Sequence, residues 1–240
     1  MLRIVVGILL TTIVTAPASL AGIIVPLTDP SGLAAEAEFD LLNPTTLQVR
    51  LRNTSTGVPG GFDSADQLLT SVSWDFGAPG QNPGDPTITG GTVLIGPASQ
   101  SVNFDTGSYG PGADVSGEYG YGNAGTTGLF PNFISANTAG ATQFPGANLD
   151  GPAGLDGPQA GLVADPILVP LGGLGAIQDE IIATLTLSQA VANLDFLSNG
   201  VIVEFGSDAA FIPEPGALSA LAAGLALVVR RRRSPAGMRG

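Results

Sequence analysis

Any chemistry in this chain has to be done by carboxylates and hydroxyls. Its 240 residues include no His, no Cys and no Lys. That leaves no imidazole base or ligand, no thiolate nucleophile, no disulfide and no Schiff-base amine. Twenty Asp and Glu residues remain. Two carboxylates at a defined separation across a cleft hydrolyse a glycosidic bond, and several together take calcium through oxygen ligands. The candidates are Glu36, Glu38 and Asp40 on one predicted strand face, and Asp63, Asp66, Asp150 and Asp156 in predicted loops. None follows the spacing of a calcium loop. The expectation is a solvated acidic face with no metal site and no cofactor, calcium being the ion such a face would take.

Four shorter patterns carry a sharper alternative. Asp105-Thr106-Gly107-Ser108 resembles the active-site loop of aspartic proteases, in which two carboxylates share one proton because both cannot ionise together. A second copy is required, and the nearest, Asp63-Ser64-Ala65, lacks the glycine. Asp and Gly are also ordinary turn residues, so a turn after a strand is the simpler expectation. Gly120 to Gly125, GYGNAG, has the spacing of a dinucleotide fingerprint, but TTGLFPN follows it and will not make the helix that would hold a pyrophosphate. Trp74, the single Trp, would serve either as a sugar-stacking platform or as a core anchor. Its neighbours Val72 and Phe76 on the same face favour the core. Asn53-Thr54-Ser55 is a glycosylation sequon.

The charge distribution excludes some partners and implies a destination. Residues 22–229 hold only Arg50 and Arg52 against all twenty acids, a net of −18. Such a surface repels nucleic-acid phosphates and anionic headgroups, so no nucleic acid is expected. Residues 1–21, MLRIVVGILLTTIVTAPASLA, place one early Arg before an apolar run and small residues. That is the layout of a secretory signal peptide, with cleavage between Ala21 and Gly22.

Between the terminal segments the pattern is β. TTLQVRLRN alternates with Leu47, Val49 and Leu51 on one face. QLLTSVSWDFG sets Leu68, Val72, Trp74 and Phe76 on one face and Leu69, Ser71, Ser73 and Asp75 on the other. Ile181, Ala183, Leu185 and Leu187 point inward, as do Val201, Val203 and Phe205. Weaker strands are expected at 87–95, 100–104 and 166–170. AEAEFDLLNPTTLQVRLRN reads as two strands that form a hairpin around Asn43-Pro44, with paired residue numbers summing to 88. Phe39 then faces Val49, while Glu38 and Glu36 face Arg50 and Arg52, so both faces of the pair agree on one register. Residues 105–165 are rich in Gly and small residues and read as a long loop excursion over the sandwich, with room for short strands such as VSGEYGY.

Phe211 to Pro235, FIPEPGALSALAAGLALVVRRRRSP, closes the chain differently. Pro213, Glu214 and Pro215 interrupt regular structure. Gly216 to Val229 are fourteen uncharged residues, about 21 Å of helix against a hydrocarbon layer of about 30 Å. Phe211 and Ile212 would extend the apolar segment. Arg230, Arg231, Arg232 and Arg233 form a stop-transfer cluster held on the cytoplasmic side. Pro213, Glu214, Pro215 and Gly216, the apolar helix and the Arg cluster, in that order, resemble the PEP-CTERM sorting signal of exported bacterial proteins. The resemblance covers about 25 residues and departs from the pattern in its short apolar run and its SPAGMRG tail. It implies handling by an exosortase near Pro-Glu-Pro, in bacteria that make extracellular polysaccharide.

The whole reads as an all-β protein, an antiparallel β-sandwich or jelly-roll-like domain between an N-terminal signal-peptide helix and a C-terminal transmembrane-type helix. The segments are a signal peptide at 1–21, an exported domain at 22–210 and a sorting signal at 211–235. The expected function is a non-enzymatic cell-surface or extracellular-matrix protein, exported and transiently or stably membrane-anchored before release. Its expected partners are the secretion machinery and exosortase, the membrane, exopolysaccharide and divalent cations. The alternatives are a carboxylate-only secreted hydrolase, glycosidase or aspartic-protease-like, or a carbohydrate-binding module with exposed aromatic side chains.

Overall fold

The computed structural model describes residues 22–77, 82–104, 107–124, 130–138, 147–149, 160–207 and 210–213. In chain order the strands are β1 (Ile23–Thr28), β2 (Ala34–Asn43), β3 (Thr46–Asn53), β4 (Leu69–Trp74), β5 (Ile88–Ile95), β6 (Gln100–Val102) and β7 (Gly120–Gly122). They continue as β8 (Asn132–Ser135), β9 (Ala147–Asn148), β10 (Leu162–Val163), β11 (Ala176–Gln178), β12 (Glu180–Leu187), β13 (Val201–Phe205) and β14 (Ala210–Pro213). Among the described residues the helical elements are short 3-10 turns, and no helix is long and apolar enough to cross a membrane. The predicted terminal helices, at 1–21 and 216–229, lie outside the described residues.

The fold is all-β, built from two sheets. The first has the order β1-β2-β3-β12-β5 and is antiparallel throughout. The β2–β3 hairpin pairs Glu36 with Arg52, Glu38 with Arg50, Phe39 with Val49 and Leu41 with Leu47. That is the register predicted from the alternation. Alternate residues of β2, β3 and β12 are buried, from Ala35, Ala37 and Phe39 to Ile181, Ala183 and Leu185, because one face of this sheet packs inward and the other meets solvent.

The second sheet is organised around β4, which pairs with β13 along one edge and with β8 and β10 along the other. β7 and β9 extend beyond β8, while β11 and β6 extend beyond β10. β10 and β11 run parallel. Every residue of β4 is buried, Ser71 and Ser73 included, so its two faces are not an inside and an outside. A bulge at Thr70 also shifts the phase, since Ser71 pairs with Glu204 but Leu69 pairs with Phe205. Leu69, rather than the expected Leu68, therefore joins Val72 and Trp74 in the main core. Leu68 packs instead against Val163, Leu171 and Ala176.

One core joins the sheets. It includes Phe39, Val49, Ala183 and Leu185 from the first and Val72, Trp74, Val201, Val203 and Phe205 from the second. Phe39 and Trp74 meet edge to face, with ring centroids 5.5 Å apart, and Phe76 meets Trp74 at 5.9 Å. Asn53 ties the sheets at one end. Its Nδ2 donates to Leu162 O at 2.8 Å, and its Oδ1 accepts from Ser55 N.

Two expectations are corrected, and one edge strand is added. Residues 166–170 form no strand, and β10 lies just before them. The edge strand β1 was not foreseen. Finally, Phe211 and Ile212 belong to β14, with Ile212 buried and paired with Val203. They pair within the second sheet rather than extending the apolar tail.

Candidate functional site

The carboxylates that bear on chemistry fall into three environments, two holding sequence-predicted candidates and one that the sequence did not suggest. The first is the solvent face of the β1–β5 sheet. Cross-strand pairing sets Pro26, Glu36, Arg52 and Glu180 in one row and Ile24, Glu38, Arg50 and Ile182 in the next. Arg50 Nη1 lies 3.3 Å from Glu38 Oε2, and its Nε lies 3.8 Å from Glu180 Oε2. Arg52 Nε donates to both carboxylate oxygens of Asp179, at 2.9 and 3.0 Å. Glu36, which faces Arg52 in the register, is thus not its ion-pair partner. Asp179 takes that place because a positive φ of 78° turns the chain just ahead of β12. Burial pushes the Glu180 carboxyl above its ordinary value, against the lowering effect of Arg50. The face holds a surplus of acid over its two guanidinium groups.

The second environment is the far side of β4. Glu204 on β13 is fully buried, on the face opposite Val203 and Phe205. Ser71 Oγ donates to Glu204 Oε2 at 2.7 Å, and the Ser71 and Ser135 hydroxyls are hydrogen-bonded to each other. Asn137 N donates to Ser135 Oγ at 2.9 Å, and Asn137 Nδ2 donates to Gly206 O at 2.7 Å. A serine held by a carboxylate has the makings of an activated nucleophile. Here Ser71, Ser135 and Glu204 all have zero exposure, so no substrate carbonyl reaches the hydroxyl in this arrangement. The chemistry that fits is a polar clamp across β13, β4 and β8. Sequence reasoning missed it because alternation assigned Ser71 and Ser73 only to the face away from Trp74; Glu204, flanked by the inward Val203 and Phe205, was the available signal. Glu118 is also fully buried, in the 3-10 turn Ser116–Glu118. Beside it, burial and then the Glu118 charge raise the Tyr119 phenol far above its ordinary value. Tyr119 therefore stays protonated and donates to Ala160 O at 2.7 Å.

The third environment is the loops. Asp63 Oδ1 accepts from the N–H groups of Ala65 and Asp66, an ordinary turn. Asp105 and Thr106 lie outside the described residues, as do Asp150 and Asp156, while Gly107 and Ser108 are exposed. Among the described residues no group of three or more Asp or Glu is placed to hold a metal ion.

The remaining motifs resolve into structure. Gly120–Gly122 is β7, antiparallel to β8 and β9, and not a strand-to-helix turn. Gly122 is required there because a side-chain carbon would fall 2.3 Å from the Phe133 ring. Asn123 brackets the start of β5, accepting from Ile88 N at 2.7 Å and donating to Ile88 O at 2.8 Å. Trp74 is fully buried, and no aromatic side chain among the described residues is classed as exposed. Asn53 of the sequon is buried and committed to Leu162.

The sorting residues are described at their boundary only. Pro213 ends β14 opposite Ile202. Glu214, Pro215, Gly216 and Arg230 to Arg233 lie outside the described residues. At the other end Ala21 lies outside them and Gly22 is the first described residue. No protein-family model, no curated protein and no solved structure matches the chain.

Proposed function

We propose that this is an exported cell-surface or extracellular-matrix protein, non-catalytic, delivered by a PEP-CTERM-like signal that an exosortase handles. The observation that carries this reading is the fit between the fold and the two terminal segments. β1 starts at Ile23, directly after the cleavage point expected between Ala21 and Gly22. β14 ends at Pro213, with Glu214, Pro215 and Gly216 following at once. The described strands thus run from Ile23 to Pro213, between the two expected signals. We read its architecture as a sandwich of jelly-roll type, antiparallel but for the β10–β11 pair, with helices expected in the leader before it and at 216–229 behind it.

Two further observations support a structural role. Glu204 of the second sheet and Glu118 of the 3-10 turn Ser116–Glu118 have no exposure. The acidic outer face, with Glu36, Glu38, Asp40, Asp179 and Glu180 against Arg50 and Arg52, suits hydrated divalent cations and exopolysaccharide in a matrix. Expression in a host with an exosortase, followed by fractionation, tests the reading. The wild-type chain is expected in the envelope and medium, and a variant with Arg230 to Arg233 replaced by Ala is expected to lose its membrane-bound intermediate. Recovery of the wild-type chain as a cytoplasmic protein overturns it.

A further inference from the structure

We propose that leader removal completes an ion-pair site: the α-ammonium created at Gly22 docks against the Glu38 and Asp40 carboxylates of β2 and fastens the edge strand β1. The inference rests on the leader reading above and concerns what that cleavage does to the fold. Hydrolysis of the Ala21–Gly22 bond leaves a carboxylate on Ala21 and a free amine, protonated at neutral pH, on Gly22.

Three features of the fold converge on that position. A side-chain carbon placed on Gly22 would lie 3.1 Å from Glu38 Oε1, so the backbone at this residue already sits against that carboxylate. Continuing the β1–β2 register, in which Ile23 faces Phe39, sets Gly22 opposite Asp40. Asp40 Oδ1 is itself shut off from solvent without a hydrogen-bond partner. A buried carboxylate oxygen in that state is costly, and a cation carrying three N–H donors is the group that relieves it.

The arginines of the same face do not supply that cation. Arg50 is shared between Glu38 and Glu180, and Arg52 is held by Asp179. The need for a fastening is also local. Among the described residues β1 has a strand neighbour on one side only, and Ile23 and Ile24 at its start are 42% and 54% exposed. Apolar burial thus does little to hold this end, where a terminal segment otherwise frays.

The charged groups facing the new amine are Glu38 and Asp40 from β2, opposed by Arg50 from β3; Gln48 of β3 is neutral. Two acids against one shared guanidinium raise the amine above its unfolded value, which is about 7.7–8.0. A raised folded value means that the stabilisation is complete below about pH 7.7 and is lost as the pH climbs through the folded value.

The composition makes the test clean. With no Lys, the mature chain carries a single amine, its N-terminus. Reductive methylation of the full exported protein with 13C-formaldehyde labels that site alone, and the 13C shift is followed against pH in the native state and in urea. The expected result is a native titration about one unit above the urea titration, reduced by Asp40→Asn and by Glu38→Gln. Native and urea titrations that coincide, or a native value unmoved by both variants, overturn the proposal. If Asp40→Asn does not fold, Glu38→Gln alone decides. Mass spectrometry of the N-terminus separates the two levels. A terminus other than Gly22 overturns the leader reading and the docking with it, whereas Gly22 with an ordinary titration overturns the docking only.

Discussion

Replacing Trp74 tests whether one core joins the sheets. The side chain is fully buried between Phe39 of the first sheet and Phe76, at centroid distances of 5.5 and 5.9 Å. An indole hides about 150–250 Å². At about 25 cal/mol per Å² that is an upper bound of about 4–6 kcal/mol for Trp74→Ala. Loss of two edge-to-face contacts adds to it and partial collapse of the cavity subtracts, giving an expected loss of about 4 kcal/mol. Trp74 Nε1 is buried without a hydrogen-bond partner, so Trp74→Phe removes volume but breaks no hydrogen bond. Its expected cost is about 1–2 kcal/mol. Urea unfolding followed by far-ultraviolet circular dichroism measures both, since the variants lack the only Trp, and the denaturant slope should not change. A loss below about 1 kcal/mol for Trp74→Ala would refute the shared core. So would the signature of a sugar platform, in which polysaccharide binding disappears while stability is untouched.

Three other outcomes follow from the polar structure. Ser71→Ala takes a donor from the buried Glu204 and should cost about 2 kcal/mol in the same unfolding assay; a neutral result would mean that the clamp holds nothing together. The Arg52–Asp179 pair is half exposed on its Arg side, so a double-mutant cycle with Arg52→Met and Asp179→Asn should return below about 1 kcal/mol, shrinking in high salt. Glu180 is held above its ordinary value by burial. Its folded form therefore binds the proton more tightly than the unfolded chain does, and its contribution to stability is greatest in acid and declines as the pH rises from about 4.5 through the folded value. Glu180→Gln should flatten the stability profile in that window, and an unchanged profile would count against burial as the cause.

The parts of the fold that could be read in advance are those where two independent patterns agree. The β2–β3 register follows because the apolar face and the Glu–Arg face demand the same offset. Alternation in β12 and β13 placed Ile181, Ala183, Leu185, Val201, Val203 and Phe205 in the core for the same reason. β4 misled because it is central: with both faces covered, Ser71 and Ser73 are polar without being exposed, and alternation then reports hydrogen-bonded versus apolar surroundings. β1 was hidden behind the leader: the two isoleucines that open IIVPLT obscure the alternation of Val25 and Leu27, and its proline is one that an edge strand tolerates. β14 was concealed by its continuity with the apolar tail. At the candidate sites, chain-distant partners were illegible. Asp179 is 127 residues from Arg52, and Glu204 is 133 from Ser71, so no local spacing announces either pair.

Export and sorting can be tested together by reading both termini of the protein recovered from the surface and medium of a host that carries an exosortase. Intact-mass and terminal-peptide mass spectrometry should find Gly22 as the first residue and a C-terminus close to Pro213-Glu214-Pro215, with Arg230 to Arg233 gone. A surface protein that retains residues 1–21, or one intact through Arg233, would contradict the sorting reading.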